Sequence, residues 1–228
     1  MWKGTGTGSV ITVNNLIVNG GQVRHGQGDG DSFTLSGNLA VGTTGAGIAA
    51  QGGTFIASTI TGSSTINILD NGNGAVARTV TFSNGGNTFT GNIVMAGTTA
   101  SRARLTLADN ANLNFVIGAT GVNNSVSGTG TLVYDGDFFF DLTGAGTTIG
   151  DTWTISSPTS QSFGSTFTVS GFNDIGGGLW ETNANSVTYQ FAQGTSTLSV
   201  VPEPATFGLL AVAGLAVGYV AGRRRATG

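Results

Sequence analysis

The chain has 228 residues, of which 40 are glycine, none is cysteine and only 8% are charged, with a formal net charge of −3. That composition excludes disulfide frameworks, thiolate catalysis and cysteine-based metal sites. Outside the segment from Val201 to Gly228, five basic side chains face ten acidic ones, so the body lacks the basic stripe that nucleic acid requires and no nucleic-acid partner is expected.

The amino terminus, Met1-Trp2-Lys3-Gly4-Thr5-Gly6, has neither an apolar core segment nor a signal-peptidase site. The tail from Val201 to Gly228, with an uncharged run between Pro202-Glu203-Pro204 and Arg223-Arg224-Arg225, has the form of an export tail and calls for a leader, so this sequence is expected to be a C-terminal fragment or to carry a start assigned too late.

Residues 1–149 read as short β runs separated by glycine and asparagine. The runs include Ser9–Val13, Ser32–Leu35, Thr65–Leu69, Arg78–Phe82, Arg104–Leu107 and Thr131–Tyr134. Asn19-Gly20-Gly21, Asn71-Gly72-Asn73-Gly74 and Asn84-Gly85-Gly86-Asn87 lie between them and supply the positive φ that sharp turns need. No proline occurs before Pro158, so every backbone donor in this region stays available for a ladder. An internal echo relates Phe33–Val41 to Phe89–Met95. The spacing between its Gly37-Asn38 and Gly91-Asn92 pairs suits two coils of about 27 residues each. Coils of that length stacking at the β spacing of about 4.8 Å predict an all-β, glycine-rich, right-handed parallel β-helix. In it Asn38 and Asn92 either stack as an internal ladder or serve as plain turn residues.

The segment Asn87–Thr98, with its Asn-Thr-Phe-Thr-Gly-Asn start, and Ser127–Leu132 resemble the autotransporter-associated β-strand repeat. The resemblance spans about residues 30–135 and implies an extended surface β-helix; it implies no activity.

From 150 to 200 the texture changes. Trp153, Phe163, Phe167, Phe172, Trp180, Tyr189 and Phe191 gather here and Pro158 appears. This stretch predicts antiparallel hairpins that cap the open solenoid end; a separate carbohydrate-binding module is the competing reading.

Chemistry-bearing residues are few. His25, the single histidine, sits in a turn and has no second imidazole for a metal or a triad. Gly26–Thr34 resembles a calcium-binding nonapeptide, but Gln27 and Asp29 stand where glycines belong. Asp135 and Asp137, followed by Asp141, flank Phe138-Phe139-Phe140. Two carboxylates on one strand face are how glycoside cleavage or calcium is served, and they support the rival reading of a polysaccharide-degrading enzyme. A turn followed by an acidic solvent face accounts for them equally, and with Lys3 the only lysine the body is poor in catalytic partners. No catalysis, metal or cofactor is expected.

The segment from Val201 to Gly228 carries the strongest signal. Pro202-Glu203-Pro204 precedes an uncharged run, Ala205–Gly222, and then Arg223-Arg224-Arg225. As a helix that run would measure about 27 Å, just enough to cross a hydrocarbon core, and the arginines would form a cytoplasmic stop. Gly214, Gly218 and Gly222 recur every four residues, a spacing that lets two membrane helices approach. The three parts in this order resemble the PEP-CTERM sorting signal of Gram-negative-type bacteria. The resemblance implies recognition by an exosortase, a membrane-embedded processing enzyme that removes the helix. It also implies transient residence in the inner membrane, with the helix in lipid, and then the cell surface or extracellular matrix. A structural or adhesive role beside exopolysaccharide follows as the leading expectation.

Overall fold

A computed structural model of the chain describes residues 9–24, 32–50, 53–70 and 78–203. The strands in chain order begin with β1 (Ser9–Val18), β2 (Gln22–Arg24), β3 (Ser32–Val41), β4 (Ala46–Ala49), β5 (Gly53–Ile56), β6 (Thr59–Thr61) and β7 (Ile66–Leu69). They continue through β8 (Val80–Phe82), β9 (Ile93–Ala96), β10 (Arg104–Leu107), β11 (Asn112–Val116), β12 (Val126–Tyr134) and β13 (Asp137–Asp141). The last six are β14 (Thr152–Thr154), β15 (Ser156–Phe163), β16 (Asn173–Gly176), β17 (Leu179–Ala184), β18 (Val187–Ala192) and β19 (Thr197–Val201). No α-helix occurs among the described residues.

Parallel pairing organises the chain up to β15 into a β-solenoid of about six turns. One face stacks β1, β3, β5, β8, β10, β12 and β15, and a second stacks β2, β4, β7, β9 and the start of β12. A third stack begins where the second halves of β1 and β3 pair with each other and β3 goes on to pair with β6, and it ends where β11 pairs with β13. A single inward column shows the period: Ile11, Leu35, Ile56, Phe82, Leu107, Tyr134 and Phe163 lie opposite one another in successive coils. The coils along this column are unequal, shortest from Leu35 to Ile56 and longest from Tyr134 to Phe163.

Strict alternation selects this arrangement. In Arg104–Leu107 and Thr131–Tyr134 every second side chain is buried, the period that puts apolar residues on one side of a pleated strand. Among the described residues, the inner strands of the two long stacks pair on both edges with their neighbours, which leaves free edges there only at the terminal coils.

Glycine marks the corners. Gly37 has φ +96°, and a Cβ there would run into the Val13 carbonyl oxygen of the preceding coil. A Gly37→Ala protein should accordingly lose about 1–3 kcal/mol of stability, the usual cost of a side chain in such a conformation. Denaturant titration checks it; an unchanged midpoint would mean the corner relaxes freely.

Of the two readings open for Asn38 and Asn92, the stacked ladder does not form. Asn38 and Asn92 do not stack on one another. Asn38 Nδ2 donates to Asn15 Oδ1 at 3.3 Å, whereas Asn92 Oδ1 accepts from Ser125 N–H at 2.9 Å. Asn38 lies in β3 and Asn92 stands just before β9, so the two belong to different faces. Unequal coil lengths cause this, because a constant spacing in sequence does not return to the same corner.

The end of the solenoid is closed by an antiparallel sheet in the order β14-β19-β18-β17-β16. The transition is staggered around residue 150: β14 joins the cap sheet, but β15 returns to stack in parallel on β12. Pro158 fits in β15 because that strand's other edge needs no donor there. Gln161 bridges the layers, accepting from Ser156 Oγ at 2.6 Å and donating to Ser196 Oγ at 2.8 Å.

The core changes character along the axis. Early coils bury Leu39, Ile48, Ile60, Ile66 and Ile68, while the last coils and the cap bury Tyr134, Phe138, Trp153, Tyr189 and Phe191. These larger rings span the deeper space between the final coil and the cap sheet. Burial pushes the Tyr134 hydroxyl well above the ordinary phenolic range, offset in part by its 2.5 Å hydrogen bond with Ser156 Oγ.

Candidate functional site

Two regions contain the residues singled out by sequence. The first is the exit of the chain from the cap. Val200 N–H donates to the Asp151 carbonyl at 2.9 Å, and Gly150 N–H donates to the Val200 carbonyl at 3.0 Å. On the other flank Val201 pairs with Thr188 of β18. The ladder stops one residue later because Pro202 has no N–H to contribute. Glu203 is exposed and lines an open groove of about 400 Å³ with Asn173, Ile175, Glu181, Thr182, Asn183 and Thr188.

That groove has a set polar lining. Glu181 Oε1 accepts from Gln190 Nε2 at 2.7 Å, and Thr188 Oγ1 donates to Asn183 Oδ1 at 2.8 Å. Ile175 is 50% exposed beside them. No sequence signal marks this groove, since apart from Glu203 its residues come from three separate strands and none belongs to a motif. Pro204, the apolar run 205–222 and Arg223–Arg225 lie outside the described residues, as do His25 and most of the nonapeptide at 26–34.

The second region is the aspartate cluster. Asp135 lies in the turn after β12 and Asp137 opens β13, with buried Gly136 between them. Both are tied to the following coil. The Asp135 carbonyl accepts from Thr166 Oγ1 at 2.7 Å, and Asp137 Oδ1 accepts from Thr168 Oγ1 at 2.5 Å. Asp141 instead closes its own turn. Its carboxylate accepts from Thr143, and this bonding holds the group below the usual carboxylate range. Phe138 and Phe140 point inward while Phe139, between them, is exposed. Among the described residues no three of His, Cys, Asp and Glu gather as a metal site. The structure thus gives Asp137 a connecting role between coils.

Together these features define an all-β solenoid with a closed end and a sorting segment leaving directly from its cap. The model of the PEP-CTERM protein-sorting motif matches residues 200–225. A motif of this kind implies recognition by an exosortase and export to the cell surface. The match begins at Val200, inside β19, so the motif and the folded cap overlap. No curated protein and no solved structure matches the chain.

Proposed function

We propose that this chain is a structural or adhesive component of the cell surface or extracellular matrix, held first in the inner membrane by its C-terminal helix and then released by an exosortase. The observation that carries the reading is the junction. The cap is folded up to Val201, and only Pro202, Glu203 and Pro204 separate it from the uncharged run. Cutting there frees an intact solenoid and leaves the helix and Arg223–Arg225 in the lipid. The β-solenoid body is compatible with the autotransporter-associated β-strand repeat as its type. Its long, weakly charged faces suit contact with exopolysaccharide. On this reading the body is not an enzyme, and Asp135 and Asp137 contribute to structure.

Mass spectrometry of the surface-exposed protein from the producing bacterium tests the sorting step. A C-terminus near Glu203 is expected, lost on Pro202→Ala or Glu203→Ala substitution or on deletion of the exosortase. Recovery of intact Arg223–Gly228 peptides from the mature pool would make the tail a permanent anchor. The non-catalytic reading has its own test. Asp135→Asn and Asp137→Asn should leave polysaccharide turnover unchanged, and a 100-fold loss, about 2.7 kcal/mol of barrier, would establish an enzyme.

A further inference from the structure

We infer that the cap groove beside Glu203 is a docking surface for the enzyme that processes the sorting motif. The inference rests on the sorting reading above and concerns a surface of the folded cap that the motif's own Glu203 borders.

Chain length is the first argument. Four residue steps separate Val201 from Ala205, a reach of at most about 14 Å. An enzyme that encloses Pro202-Glu203-Pro204 at the membrane must therefore work in contact with the cap. Strand pairing is the second. The residues just upstream of the motif are held on both flanks, by Gly150 and Asp151 on one side and by Thr188 on the other. Drawing them out as a free peptide would unzip β19 and expose Leu198 and Val200, which are 0% and 2% exposed. The enzyme consequently meets the motif with the cap still folded. The groove is continuous with the motif because Glu203 is one of its walls.

Its lining specifies the partner surface. Glu181 and Glu203 supply two carboxylates, Asn173 and Asn183 supply amides, Ile175 supplies an exposed apolar contact, and no basic side chain among the described residues lines the groove. That combination fits a surface presenting Arg, Lys or backbone N–H donors around an apolar side chain.

The test follows processing of the full-length chain in the producing bacterium, by pulse-chase immunoblot and mass spectrometry of the new C-terminus. An Asn173→Arg/Ile175→Arg variant alters two exposed positions of the groove and leaves the motif intact. It should be processed about tenfold more slowly, with the body's melting temperature unchanged. A second variant leaves the cap untouched and inserts, after Val201, a Gly-Ser linker of about ten residues followed by a repeated Val-Val pair, so that the matched residues 200–225 stay contiguous. It should also slow processing, because the groove is no longer held beside the motif. Wild-type rates in either variant, or faster processing of the linker variant, would overturn the docking surface and leave the sorting reading intact. Failure of the wild-type chain to be processed at all would overturn the sorting reading, and the docking surface with it.

Discussion

Replacing Phe138 by alanine should cost about 3–5 kcal/mol of stability, the range for removing a fully buried aromatic side chain. Phe138 has no exposed surface and lies at the junction of the last coils with the cap. Its ring centroid is 4.8 Å from Tyr134, 4.9 Å from Phe167, 5.0 Å from Phe115 and 5.7 Å from Phe191. These are mostly edge-to-face arrangements, each worth about 0.5–1.5 kcal/mol beyond the area it buries. The rings come from both solenoid and cap, so no single element can move in to fill the space. Phe139→Ala serves as the internal control. That side chain is 47% exposed on the same strand, and its loss should stay within about 0.5 kcal/mol. Denaturant unfolding followed by the fluorescence of Trp153 and Trp180 reads both variants. A loss under about 2 kcal/mol for Phe138→Ala would mean that the surrounding rings collapse into the cavity.

Asn87→Ala should cost on the order of 3 kcal/mol, because it leaves two backbone groups without their partners. Asn87 is 5% exposed; its Oδ1 accepts from Ile60 N–H at 2.9 Å, and its Nδ2 donates to the Asn112 carbonyl at 3.1 Å. One side chain thus joins the coil before it to the coil after it. Asn112 and Asn114 return the contact, donating through Nδ2 to the Asn87 carbonyl at 3.0 and 2.7 Å. The comparison is Asn92→Ala, at an exposed position whose side chain accepts from Ser125 N–H. It should cost about 1 kcal/mol, the net worth of one ordinary hydrogen bond. Equal losses at the two positions would contradict the role assigned to the buried link. Hydrogen exchange at the Ile60 amide locates the effect, since that amide should lose its protection first.

The local grammar of this fold was readable in the chain itself. Arg104–Leu107 and Thr131–Tyr134 were legible as strands, and their alternation matches the burial of every second side chain, because a pleated strand shows each face every second residue. Glycine at a corner such as Gly20 was equally visible, since sharp turns at positive φ exclude other side chains. So was the sorting segment, whose proline-bracketed acid, apolar run and arginines need no tertiary context. Pro202 ends the last strand for the reason its chemistry predicts.

Tertiary structure alone decided which residues face one another across coils. Coil length changes from one turn to the next along a single column, as the short step from Leu35 to Ile56 and the long one from Tyr134 to Phe163 show. A repeat counted in sequence therefore left open whether Asn38 lies over Asn92, and the two belong to different faces. The partners of Asn87, the Gln161 bridge from solenoid to cap, and the groove that seats Glu203 beside Glu181 were silent in the sequence for the same reason. Each depends on the lengths of turns, which carry no periodic signal. Alternation determines the side of a strand a residue occupies; the stacking of unequal coils determines what it meets there.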